Sequence, residues 1–198
     1  MNITKRPSAG LPLYSVLGVA ISVMVSLLVF SCATARKYDP GAPKVAIARA
    51  SDAEIAKYGP NFLVNPFKEP SIIVLGKTYD FYIVKISLNL DKQTKIKVIA
   101  SSQGPSGADT PAAYTQAEFV HFWDVVSNEG GPNDGEYERR KTTIERTVIP
   151  ELSFSEGSGQ NSYFLVFVGK HPVKRPITYE VQVILDSGEA FVFSETLE

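Results

Sequence analysis

The sequence predicts an all-β domain, a sandwich of about eight to nine short strands that fills residues 44–198. Three observations point there. From Lys44 onward the apolar residues mostly recur at every second position, which is the period of a half-buried strand. Clusters of Gly, Pro, Asn, Asp and Ser interrupt these runs where turns are needed. The chain of 198 residues, 44% hydrophobic and 21% charged, has the balance of an ordinary globular protein.

Val45 and Ile47 open the first run, and Ser51-Asp52-Ala53-Glu54 has the pattern of a helix capping box, continued to Tyr58 and ended by Gly59-Pro60. Ser71 to Leu75, closed by Gly76, predicts a second strand. The run Tyr79 to Asn89 carries apolar side chains on both faces, so it belongs in the middle of a sheet. Asp91-Lys92-Gln93 turns into Lys95-Ile96-Lys97-Val98, where lysines face out and aliphatics face in, making a hairpin. Ser101 to Pro111 is a loop.

Residues 112–126 are ambiguous. Phe119, Phe122 or Trp123, and Val126 fit a helix, whereas Phe119, His121, Trp123 and Val125 fit a strand, and the β-favouring residue types tip the expectation to strand. Asn128 to Glu138 predicts a polar loop. Lys141 to Ile149 predicts a one-sided strand with Thr143, Glu145 and Thr147 facing water. Tyr163 to Val168 is apolar on both faces and predicts a central strand, and Tyr179 to Leu185, a turn at Ser187-Gly188, and Ala190 to Phe193 form a terminal hairpin. Gly159-Gln160-Asn161-Ser162-Tyr163 resembles the tyrosine corner of immunoglobulin-like domains, a resemblance that implies an immunoglobulin-like β-sandwich without the Cys-Trp-Cys framework.

The first part of the chain predicts location rather than fold. Lys5 and Arg6 form a basic head, no charge occurs from Pro7 to Ala35, and apolar residues concentrate between Val16 and Phe30. A basic start, an apolar stretch and a small residue before a cleavage point are the parts of a secretory signal. The stretch closes on Leu28-Val29-Phe30-Ser31-Cys32, and Cys32 is the single cysteine. This arrangement resembles the precursor of a bacterial lipoprotein, including the relaxed signals of spirochaetes, and the match covers about the first sixth of the chain. Phe30 stands where such signals usually carry a small residue.

The resemblance implies cleavage between Ser31 and Cys32, a diacylglyceryl thioether on Cys32 and a further acyl chain such as palmitate on the new amine. It implies three segments: a signal peptide over 1–31, a lipidated tether over 32–43 and one β-sandwich domain over 44–198. The membrane, with the outer membrane favoured by Ala33, is then a partner through the lipid anchor. Retention of residues 7–35 as a transmembrane anchor and a plain secreted protein are the alternative readings of the same stretch. All of them place the domain outside the cytoplasm, where a lone cysteine forms no internal disulfide.

Motifs for chemistry are sparse. A net charge of -1 gives no attraction to nucleic acid. His121 and His171 are the only histidines, too few for a zinc site without free cysteine. Gly157-Ser158-Gly159 reads as a turn rather than a nucleophile elbow, and Asn133-Asp134-Gly135-Glu136 lacks the ligand spacing of a calcium loop. No catalytic residue, metal or cofactor is assigned. The aromatic stretch Phe119, Phe122 and Trp123 with the basic pair Arg139-Arg140 is the candidate binding patch, set against core packing for the rings and solvated charge for the arginines. The expected function is therefore non-catalytic binding of an envelope or extracellular protein or glycan. A hydrolase-like envelope enzyme and a structural subunit of an envelope assembly are the alternatives.

Overall fold

A computed structural model of the chain describes residues 39–72, 74–106, 108–128 and 133–198. They all belong to one compact unit that runs from Lys37 to Glu198. The expected signal peptide and the lipidation site at Ser31 and Cys32 lie outside the described residues. Among those residues no helix is long and apolar enough to cross a membrane.

The unit is mostly β, with two antiparallel sheets of four strands each. The strands are β1 (Val45–Arg49), β2 (Tyr79–Leu90), β3 (Thr94–Gln103), β4 (Ala112–Tyr114), β5 (Ser153–Glu156), β6 (Gly159–Lys170), β7 (Ile177–Leu185) and β8 (Ala190–Leu197). The first sheet has the order β1-β2-β6-β4 and the second β5-β3-β7-β8. Three helices accompany them: α1 (Asp52–Ala56), α2 (Gln116–Asn128) and α3 (Asp134–Thr147).

Two hydrophobic cores share the first sheet. Tyr82, Val84, Ile86 and Leu88 of β2, with Leu165 and Phe167 of β6, face Ile96, Val98, Val181 and Val183 of the second sheet. The opposite face of the same strands, Ile83, Phe164, Val166 and Val168, packs on Phe119, Phe122, Trp123, Val126 and Ile144 of α2 and α3. This double burial is why β2 and β6 read as apolar on both faces. The second sheet keeps one wet face, where Lys95 and Lys97 point outward.

Four sequence expectations are corrected. Residues 116–128 are helical, because burying Phe119, Phe122, Trp123 and Val126 on one face satisfies the 3.6-residue period and leaves His121 exposed. Residues 134–138, expected as the end of a loop, and 141–147, expected as a strand, belong to α3. Only Arg140 and Ile144 of that helix are buried. The described residues of 71–75 form no strand: Val74 and Lys77 make a single bridge around a tight turn with Leu75 at φ 51. Ile72 and Val74 reach the second core from this irregular segment.

Capping boxes start the helices. Ser51 with Glu54 caps α1, and Asn133 with Glu136 caps α3. Thr115 donates from its amide and hydroxyl to Glu118 at 2.7 Å each at the start of α2. The Glu54 carboxylate also takes a bond of 2.6 Å from Lys85 Nζ. That ammonium, followed by the Ser51 backbone N–H, lowers the Glu54 pKa from 4.5 to about 2.

A depressed carboxylate pKa adds stability that is complete above the unfolded value and is lost as pH falls through the folded one. Both side chains are partly solvated, so the contribution is about 1 kcal/mol. Glu54→Gln is therefore expected to destabilise at pH 7 by about that amount and to show a smaller stability loss between pH 5 and 2 than the parent, as read by urea denaturation.

Candidate binding cleft

The strand β1 ends at Arg49 because Ser51 caps α1 and turns the chain away. It therefore pairs with β2 only from Val84 to Leu88. Ala50 N–H makes the last contact, to the Ile83 carbonyl at 2.9 Å. Beyond it, the edge of β2 from Tyr79 to Tyr82 has no neighbouring strand on the β1 side among the described residues.

Two cavities open there, of about 680 Å³ and 370 Å³. They share Arg49, Glu69, Phe81 and Tyr82. The larger is walled by α1 and the 60–71 segment, with Ile55, Phe62 and Phe67 as its apolar surface. The smaller is walled by Asp80, His171, Arg175, Ile177, Tyr179 and Leu197. Because Phe81 and Ile83 face the helical core whereas Tyr82 faces the sandwich core, the cavities lie on either side of the sheet at one free edge.

The segment 60–71 is held by Asn65, which is fully buried. Its Nδ2 donates to the carbonyls of Ile55 (2.8 Å) and Gly59 (3.0 Å), and its Oδ1 accepts from Phe67 N–H (3.0 Å). Gly59 supports the same turn with φ +135, a conformation that side chains rarely adopt, and an added Cβ would lie 2.5 Å from Val64 Cγ2.

Charges rim the cleft in balanced numbers. The Arg49 guanidinium lies 5.4 Å from the centre of the Tyr82 ring and reaches Glu195 at 3.4 Å. Tyr82 donates its hydroxyl to Glu195 at 2.8 Å and stacks on Tyr179 at 3.8 Å. Burial first, and then the Glu195 carboxylate, push the Tyr82 hydroxyl pKa up, so it stays a donor. Asp80 bonds His171 Nδ1 at 2.8 Å and accepts from Val173 N–H at 3.2 Å. Arg175 donates to the Glu198 carbonyl, and Lys68 to the Pro60 carbonyl. Glu69 accepts only a long bond, 3.3 Å, from Phe81 N–H.

No group of three or more His, Cys, Asp or Glu side chains placed to hold a metal occurs among the described residues. The cleft combines apolar walls, paired charges and free backbone, which is suited to holding a ligand in place.

The patch expected from sequence sits elsewhere. Phe119, Phe122 and Trp123 are buried in the helical core, so their rings offer no surface to a partner. Arg140 is fully buried as well. Its guanidinium lies 3.8 Å from the Trp123 ring centre and donates from Nη2 to the Phe62 carbonyl, while Nε and Nη1 have no hydrogen-bond partner among the described residues. Desolvation lowers its pKa to about 10, and it remains a cation at neutral pH.

Arg139 is exposed beside Tyr58 and Val64. His121 lines a shallow hollow with Leu75, Tyr79 and Tyr114, away from the cleft. Tyr163, in the stretch likened to a tyrosine corner, donates its hydroxyl to the Glu156 carboxylate. Sequence inspection missed Arg49, Glu69, Asp80 and Tyr82 because they meet only in the fold, through the β1–β2 pairing and the packing of the 60–71 segment beside the edge of β2. No local spacing signals such a site.

No family model matches the chain, and no curated protein does. A solved structure, the FixG-related protein from Vibrio parahaemolyticus, superimposes with a TM-score of 0.35 at 7% identity, covering 79% of this chain and 96% of that one. That likeness is too slight to carry a functional argument.

Proposed function

We propose that the protein is an exported, lipid-anchored lipoprotein of the bacterial cell envelope, and that its domain works by binding an envelope or extracellular protein. The observation that carries the binding reading is the cleft left open where β1 stops short of β2. The anchoring reading rests on the signal that closes at Cys32. The chain enters the domain beside Asn89, whose Nδ2 donates to the carbonyls of Asp39 and Ala42. From Asn89 to Asp80 along β2 is about 30 Å at ~3.3 Å per residue. The cleft thus lies at the other end of β2 from Asp39 and Ala42.

The domain itself reads as immunoglobulin-like. With β5 set aside, the sheet orders β1-β2-β6-β4 and β3-β7-β8 match the constant-type arrangement, in which the first, second, fifth and fourth strands share one sheet and the third, sixth and seventh the other. Such sandwiches host many functions, so the fold supports binding only in company with the cleft.

One experiment in intact cells tests both halves. A photoreactive residue replaces Glu69 in one strain and Lys97 in another, and the protein is extracted from membranes for intact mass beside Cys32→Ala. The expected masses lack residues 1–31 and carry acyl chains, except in the Cys32→Ala variant, and a covalent partner adduct forms at position 69 but not at 97. An unlipidated protein that retains Met1 overturns the anchor, and equal adducts at both positions, or none, overturn the cleft.

A further inference from the structure

We infer that the cleft receives an extended peptide segment of a partner protein, which adds as a strand to the free edge of β2 in line with β1. This rests on the binding reading above and names the ligand class of the same site.

The backbone phase of β2 carries the argument. Ile83 accepts from Ala50 N–H, and Asn89 N–H donates to the Lys44 carbonyl at 2.8 Å. Odd-numbered residues of β2 therefore direct N–H and C=O toward the β1 side, and even-numbered residues toward β6. Thr78, just before the strand, agrees: its carbonyl accepts from His171 N–H at 2.9 Å on the β6 side. By the same alternation Tyr79 and Phe81 aim their backbone groups into the cleft. The contact of Phe81 N–H with Glu69 shows this directly. An exposed carboxylate at 3.3 Å occupies the place where a strand's carbonyl would sit closer to the usual ~2.9 Å.

The two cavities fit the side chains of such a strand. Successive residues project to opposite faces of a sheet, so alternate side chains of the incoming segment would enter the two cavities in turn. One meets the half-buried Ile55 and Phe62, the other the half-buried Val173 and Leu197. The rim balances Arg49 and Lys68 against Asp52 and Glu69 on one side, and Arg49 and Arg175 against Glu69 and Asp80 on the other. Net attraction for a charged segment is absent, and selection falls on apolar side chains along the strand. A glycan fits less well, since Tyr82 and Tyr179, at 4% and 3% exposure, show no ring face for a sugar to cover.

The test uses the full-length exported protein and peptides selected on it from a displayed library of random ten-residue sequences. The leading peptide is synthesised with single backbone N-methyl groups at each position. Strand addition predicts that hydrogen exchange at Tyr79 and Phe81 slows about ten-fold on binding while Asn89 is unchanged. It also predicts that N-methylation weakens binding about ten-fold at alternate residues and little at those between, because each bond to the edge is worth about a factor of ten.

Protection of the cleft with no alternation in the N-methyl series overturns strand addition and leaves the binding reading standing. Peptides that protect another edge, or a library that yields none, overturn the peptide as ligand. In that case an adduct at position 69 in cells still supports a binding cleft, and its absence removes both.

Discussion

Trp123→Ala is expected to destabilise the domain by about 3–5 kcal/mol, the range for removing a fully buried large aromatic. The ring is wholly inaccessible and makes edge contacts with Phe81, Phe119 and Phe122. Its Nε1 donates to the Pro66 carbonyl at 3.1 Å, so truncation also orphans a buried acceptor. Arg140 loses the ring face its guanidinium lies against, and a buried cation with a single hydrogen bond among the described residues is left beside a void. Urea denaturation followed by circular dichroism measures the loss, since Trp123 is the only tryptophan and its fluorescence goes with it. A cost under about 1 kcal/mol would mean that the helical layer does not pack on the first sheet as described.

Asn65→Ala is expected to cost about 3 kcal/mol, because three backbone groups lose their partner at once and each unsatisfied buried group costs ~1 kcal/mol or more. The loss is local first. Segment 59–69 should become cleavable by trypsin at Lys68 while the sheets persist, and Phe67 should leave the wall of the larger cavity. Asn65→Asp is expected to be no better, since the carboxylate keeps the acceptor for Phe67 N–H but supplies no donor to Ile55 and Gly59. Denaturation midpoints and the rate of nicking at Lys68 check both variants. Resistance to trypsin in Asn65→Ala would show that the segment is held by Pro66 and Phe67 packing alone.

The sheets were legible from the residues and the helices only in part, for reasons that can be named. Period-two alternation marks β3 and β7, where one face is wet, and continuous apolar runs mark β2 and β6, where neither face is. For α2, Phe119 and Trp123 fitted both periods, and residue-type preference pointed the wrong way because tertiary burial overrides it. A better signal was present. Thr115 with Glu118 and Asn133 with Glu136 have the same spacing as Ser51 with Glu54, and all three pairs bond at helix starts. In α3 the run from Glu136 to Arg146 is rich in charged helix formers, and only Ile144 and Arg140 reach the interior, so its hydrophobic period is nearly silent. The cleft left no trace in the sequence, since Arg49 of β1, Asp80 of β2 and Glu69 of the 60–71 segment belong to different parts of the chain and meet only in the fold.

The first sheet, apolar on both faces, bears on how this domain can change over generations. The helices that cover its second face, α2 and α3, sit within one connection, between β4 and β5. That excursion looks like a surface insertion of the kind lineages gain and lose freely. It is not dispensable, because shortening it would uncover Ile83, Phe164, Val166 and Val168 together. A descendant that trimmed the excursion would have to replace those residues with polar ones in the same step, or recruit another chain to cover them. The two strands at the centre of the sheet thus tie an apparently peripheral helical pair to the inheritance of the whole domain.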